Sequence, residues 1–530
     1  MSMKLKISAI ALIAALGTAP AAAKTLVYCS DASPEGFDPA LYTSITTFDA
    51  SSRTVFNRLV EFETGTTNVV PGLAESWEVS DDELEYTFNL RKGVKFHANN
   101  SFTPSRDFNA DDVIFSFNRQ RLEDHPHHKT SGGGWTYFGA MGMGDLIKDI
   151  VKVDDYTVKF VLSRPEAPML SNLAMDFASI QSKEYADRLM EAGKPEELNQ
   201  APVGTGPFTF VAYQKDSVIR YAKNPDYWEG ATPLDNLVFA ITPDASVRYQ
   251  RLNAGECHIM PYPNPADLKA MQADPNIKVM EQEGLNLGYL AYNTKVAPFD
   301  NPKVRKALNM AIDKEAIMEV VYQGSGQIAK NPIPPTIWSH NDEVQDDPHD
   351  PEAAKAMLEA EGVTDLSMKL WAMPVARGYN PNARRMAEMM QADLAAVGVD
   401  AEIISYEWGE YLDRARDIDR DGAALLGWIG DNGDPDNFLA VLLGCDSVAA
   451  SNTAQWCHEP YEKLIQKAKV TSDVEERTRL YKEAQVIAKE QAPIMPIAHS
   501  VDFMPMSPKV SGYKIHPMGT HIFYGVDIAE

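Results

Sequence analysis

Two short loops carry ionisable residues of opposite sign. The loop 376–382 holds Arg377 and Tyr379, and the loop 430–437 holds Asp431, Asp434 and Asp436 behind Trp428. A guanidinium takes a carboxylate as a bidentate pair, and a carboxylate takes an ammonium group, so together these loops could hold the two ends of a small zwitterion. Each residue also has a plainer reading. Arg377 alone suits a solvated loop, and Asp431 alone suits a turn.

The elements that must position these loops follow from periodicity. Residues 366–373 read as a strand, 382–397 as a helix ended by Gly398, 399–405 as a strand, 408–416 as a helix and 423–429 as a buried strand. This β-α-β-α-β order implies right-handed crossovers and a parallel sheet, in which ligands lie beyond the carboxyl ends of the strands. Both loops follow such ends. Asn301 and Asp350 are expected to cap two further helices with proline at the first position, the second closed by Gly362. In the first half, alternation at Leu84, Tyr86, Phe88 and Leu90, and again at Val158, Phe160 and Leu162, predicts half-buried strands.

Other constellations give less. Asp417 to Gly422 opens like a calcium loop, but its twelfth position is Trp428 where a bidentate glutamate is needed, so a polar turn is expected. His125, His127 and His128 flank Pro126 without metal-ligand spacing and are read as an exposed loop, and no metal site is expected. Gly132 to Gly134 and Gly204 to Gly206 lack the Lys-Ser/Thr of a phosphate loop, and no GxSxG elbow occurs. Catalysis has no positive support, and no cofactor is expected. The stripe of Met386, Met389, Met390 and Leu394 fits helix burial.

The 530 residues carry 49 Lys+Arg against 75 Asp+Glu, a formal charge of −26. That excludes a nucleic-acid binder or a protein held to anionic lipid by basic residues, since both need a cationic surface. At 44% apolar and 23% charged residues the chain has ample material for a core, divided at about 100–200 residues per unit into three or four folding units. Lys4 and Lys6 lead into a short apolar run that ends at Ala21-Ala22-Ala23, which predicts an export signal over 1–23 cleaved before Lys24. No later segment is apolar enough to span a bilayer, and Cys29 lacks the small residues that precede a lipid anchor. A protein free in the periplasm of a Gram-negative bacterium is expected. Export permits disulfides, and four cysteines allow three pairings; Cys29 with Cys257 and Cys445 with Cys457 is preferred, because the second pair could staple one loop.

Longer stretches carry a resemblance. Ala74 to Ser80, Tyr86 to His97 and Asn109 to Phe117 resemble the signature region of the peptide-binding family of bacterial solute-binding proteins. Thr25 to Ser30, Met175 to Ile180, Gly204 to Phe208, Ile241 to Arg248, Trp371 to Pro374 and Gly430 to Asn437 are similar to its dipeptide-binding members. The resemblance covers essentially the whole chain after residue 23. It implies an α/β, two-lobed periplasmic binding protein fold of type II, peptide-binding class, with an extra subdomain inserted in lobe I. Lobe I would be about 24–283 with 502–530, the insertion about 63–200, and lobe II 284–501. The preferred disulfides then fall one in each lobe, as in the family.

The same resemblance implies a monomer that captures dipeptides between closing lobes and delivers them to an inner-membrane ABC permease. Family members for other solutes (longer peptides, metal chelates, opines) are the competing reading, and haem is a further candidate ligand. By resemblance Asp431 would take the peptide amino terminus and Arg377 its carboxylate, with Trp408, Trp428, Tyr379, Thr43 and Ser44 around them. The loop 42–47 carries Ile45 where relatives carry glycine, and that side chain either narrows the cleft or points away.

Overall fold

Two bodies of sheet and helix are joined where a long strand, Ile494–Met506, changes partners. A computed structural model describes residues 23–529, so the export signal lies outside the described residues except for its last position. In the first body, a four-stranded sheet runs in the order Thr25–Tyr28, Asn236–Ala240, Val218–Lys223, Phe208–Gln214. A second four-stranded sheet is fully antiparallel: Ala74–Val79, Glu85–Leu90, Thr157–Leu162, Ile147–Asp154. Glu85–Leu90 and Thr157–Leu162 bury alternate residues, with Phe88 and Phe160 meeting edge to face at 5.7 Å, as a sheet covered on one side requires.

The second body is built on a seven-stranded sheet. Ser367–Trp371 pairs in parallel with Asp400–Ile404 on one side and Ala423–Ile429 on the other, which gives the β-α-β-α-β unit its expected order. The sheet as a whole is mixed, a correction to the parallel sheet expected from sequence, because Ala423–Ile429 runs antiparallel to Asn286–Tyr292, and that strand runs antiparallel to Ile494–Met506. Those partners come from distant sequence, beyond the reach of local periodicity. Helix Ala383–Ala396 is capped by the Asn382 side chain and stopped by Gly398 at φ +87°, and it buries Met386, Met390 and Leu394. Helices Pro302–Ala311 and Pro351–Ala360 are capped by Asn301 and Asp350.

The expected exposed histidine loop is corrected as well. His127 is buried against the Phe115 ring, 5.3 Å away, and the His128 Nδ1 lies 3.0 Å from the Arg119 carbonyl oxygen. Among the described residues no helix is long and apolar enough to cross a membrane, and no group of three or more His, Cys, Asp or Glu is placed to hold a metal ion.

Cysteines pair 29 with 257 and 445 with 457, at Cα separations of 5.8 and 4.6 Å. The second bridge closes a short, largely buried loop, and by chain entropy its removal costs about 3 kcal/mol. Cys445→Ala with Cys457→Ala should therefore lower the urea midpoint with an unchanged slope; an unaltered midpoint would show that the loop is ordered without the bridge.

Candidate functional site

The two loops singled out by their charges open onto one cavity. After the strand Ser367–Trp371 the chain makes a tight turn in which Arg377 N donates to Asn380 O and Asn380 N to Arg377 O, each at 3.0 Å. The turn lies close on the sheet because two glycines allow it. A Cβ on Gly427 would sit 2.1 Å from the Tyr379 ring, and one on Gly288 would sit 2.3 Å from the Tyr379 carbonyl oxygen. The Tyr322 hydroxyl donates to that same carbonyl at 2.6 Å.

In the second loop the three aspartates separate by role. Asp434 accepts from Arg477 at 2.8 Å, and Asp436 faces Lys469 at 3.7 Å, both inside the protein. Only Asp431 lines the cavity. Asn437 fixes it: the Asn437 Oδ1 accepts from Asp431 N at 2.8 Å and from Trp428 Nε1 at 3.0 Å, so acid and indole are held by one side chain. One Asp431 carboxylate oxygen is buried with no hydrogen-bond partner. Burial pushes its carboxyl up to about 7, against the opposing pull of the Tyr137 hydroxyl.

Arg377 reaches across to the first body. Its Nη1 donates to Asp31 Oδ2 at 2.5 Å, and its guanidinium lies 5.3 Å from the Trp408 ring centroid and 5.8 Å from that of Tyr262. Asp31 holds the guanidinium pKa above its ordinary value although burial alone would lower it. Asn432 Nδ2 donates to Asn172 Oδ1 at 2.9 Å, a second bridge between the bodies.

The space between these walls, its solvent-open mouth included, is about 1010 Å³. Thr43, Ser44, Arg377, Tyr379, Trp408, Trp428 and Asp431 all line it. The segment bearing Thr43 and Ser44 is held from behind. Asn199 Oδ1 accepts from the backbone of Phe37 and Asp38, and Asn199 Nδ2 donates to the Tyr42 hydroxyl at 2.7 Å. Ser44 precedes the helix Ile45–Ala50 without capping it through its side chain, which leaves its hydroxyl available to the cavity. Ile45 is among the residues that line the cavity. Its Cδ1 and that of Ile429 converge on Gly519.

Sequence reasoning missed Tyr137, Tyr262, Tyr289 and Arg416, which line the cavity, and Asp31, which pairs with Arg377. Tyr137 follows the glycine run that was read only as a failed phosphate loop, and Tyr289 lies on a strand whose residues are all buried. Asp31 is invisible until Arg377 is seen to reach it. Chemically the cavity offers an acid on one wall, a guanidinium on another, aromatic faces between them, and hydroxyls from the first body.

Comparison with known proteins adds the following. Residues 68–450 match the family described as bacterial extracellular solute-binding proteins, family 5 Middle. The chain is 57% identical to the dipeptide-binding protein of Escherichia coli (strain K12), over 99% of this chain and 98% of that one. A dipeptide-binding protein from Pseudoalteromonas sp. SM9913, solved with Met-Leu, superimposes with a TM-score of 0.92 at 40% identity, covering 96% of this chain and 100% of that one. The ABC transporter-associated periplasmic binding protein of Helicobacter pylori, solved with the peptide STSA, gives 0.91 at 38% identity, over 96% and 98%. These structures share the two-lobed α/β architecture.

Proposed function

The chain belongs to family 5 of the bacterial extracellular solute-binding proteins, and from that premise we propose that it captures dipeptides in the cavity between its lobes and hands them to an inner-membrane ABC permease. The observation that carries this reading is one cavity with Asp431 on one wall and Arg377 on another, the complement of a short zwitterion. Asp431 takes the ammonium group and Arg377 the carboxylate. Once the cleft is closed, a ligand lacking the ammonium group leaves Asp431 buried and unpaired, and one lacking the carboxylate leaves Arg377 with Asp31 as its one anionic partner. Trp408, Trp428 and Tyr379 supply apolar faces, and the segment of Thr43 and Ser44 supplies hydrogen bonds from the opposite lobe. The relatives' dipeptide and peptide complexes support this ligand class.

The lobes comprise 24–283 with 502–530, and 284–501, with an insertion over 63–200 in the first. Support comes from the pairing switch of Ile494–Met506, whose first part joins Asn286–Tyr292 and whose last part joins Lys278–Glu283. The protein works in the periplasm after removal of residues 1–23, breaks no bond, and acts as a monomer. Native mass spectrometry of protein purified without refolding should reveal retained dipeptides; a saturable thermal shift with added dipeptide, and an unchanged dipeptide mass after incubation, are the companion results. Cleaved product would overturn the reading. Haem is tested by the same titration, and stoichiometric haem binding that excludes dipeptide would assign the cavity to it instead.

A further inference from the structure

Behind Arg377 lies a second cavity of about 650 Å³, its open mouth included, which shares only Arg377 and Tyr262 with the first. One wall holds Asp502, on the long strand Ile494–Met506 beside its switch of partners. Its carboxylate lies against the turn that carries Arg377. A Cβ on Gly378 would meet Asp502 Oδ1 at 2.5 Å, and one on Gly284 would meet Oδ2 at 2.7 Å. Yet Arg377 is engaged by Asp31, and Asp502 Oδ2 is buried with no hydrogen-bond partner. His516 Nε2 and Thr520 Oγ1, on the same lining, are also buried and unpartnered. Burial alone pushes the Asp502 carboxyl up to about 7, with no cation offsetting it.

An acid with a buried, unpartnered oxygen is costly, and a chamber with several such atoms is built for a polar occupant. The chamber adjoins the group assigned to the ligand carboxylate. It is therefore placed to receive the side chain of the residue that bears that carboxylate. Its wall is mixed, with apolar Leu268, Phe503 and Met504 beside Asp502, and a long aliphatic stem ending in a cation matches that combination.

We propose that this chamber is the subsite for the ligand's second side chain and that Asp502 makes it select lysine or arginine there. The inference rests on the ligand orientation proposed above. Calorimetry at neutral pH with Ala-Lys, Ala-norleucine and Ala-Ala tests it, since norleucine keeps the stem and lacks the ammonium. Ala-Lys should bind the wild-type protein about ten-fold or more tighter than Ala-norleucine, as expected for a charge meeting a buried unpaired partner. In Asp502→Asn that ratio should fall to within about two-fold. Lys-Ala against norleucine-Ala should show no such ratio in the wild type, which places the effect at the second position without relying on any variant. Equal binding of Ala-Lys and Ala-norleucine would overturn the inference alone and leave the chamber to water. Failure of all three Ala peptides to bind would overturn the dipeptide reading and this inference with it.

Discussion

Asp431→Asn should weaken dipeptide binding by roughly 2–5 kcal/mol, on the order of 30-fold to several thousand-fold, while leaving an N-acetylated dipeptide nearly unaffected by the substitution. Asparagine keeps the volume and the hydrogen-bonding reach of the side chain, so the loss isolates the charge. The free protein holds this acid at a cost, because one oxygen is buried unpartnered and burial raises its carboxyl to about 7 from an ordinary 3.8. An acid whose folded value lies above its unfolded value contributes stability that is complete below the unfolded value and is lost as pH rises through the folded one. For Asp431 that window runs from 3.8 to about 7. Ligand binding has the opposite sign, since only the carboxylate attracts an ammonium group. Wild-type affinity should therefore climb between about pH 5 and pH 7, below the range in which most of the ligand's amino group loses its own proton, and the climb should vanish in Asp431→Asn. Calorimetry across that range reads both effects, and a pH-independent wild-type affinity would contradict the assignment of the acid.

Arg119→Met should destabilise the folded protein by roughly 3–5 kcal/mol. Arg119, on the helix Ala110–Arg121, is buried and grips Asp38 through both guanidinium nitrogens, at 2.5 and 2.7 Å, with Gln181 Nε2 donating to the same carboxylate at 2.8 Å. Removing the arginine takes the one cation from Asp38 in a dry site and leaves the Gln181 amide and the Ala40 N–H as its donors. Asp38 also caps the short turn Pro39–Leu41 that leads into Tyr42, Thr43 and Ser44, so the damage should reach the cavity wall. Asp38→Asn in the Arg119→Met background keeps the cap and removes the stranded charge, and most of the lost stability should return. Urea denaturation of the single and double variants checks this. Equal stabilities for single and double variants would mean that Arg119 serves packing against Trp135, 5.0 Å away, and not charge.

How much of this was legible in the chain depended on range. Helix caps at Asn301 and Asp350 and glycine stops at 362 and 398 were readable because capping is local chemistry. Arg377 and Asp431 were found because two loops of one β-α-β-α-β unit must share a sheet edge. The antiparallel strands that make the sheet mixed, the Asp31 partner of Arg377 and the Tyr137 neighbour of Asp431 were not readable, since each depends on segments more than a hundred residues apart. His127 misled for a related reason: a polar-looking tripeptide with proline packs under Phe115 only once the helix Ala110–Arg121 is in place. Asp434 and Asp436 were indistinguishable from Asp431 until Arg477 and Lys469 claimed them.

The central claim is that both ends of a free dipeptide are held by opposite charges in one cavity. Calorimetry with a single dipeptide, its N-acetylated form and its amidated form tests it most directly. Each blocked form should bind the wild-type protein at least about 30-fold more weakly than the free zwitterion, because N-acetylation strands Asp431 in the closed cleft and amidation removes the ligand anion that Arg377 binds beside Asp31. Equal affinity for all three would contradict the two-ended charge mechanism.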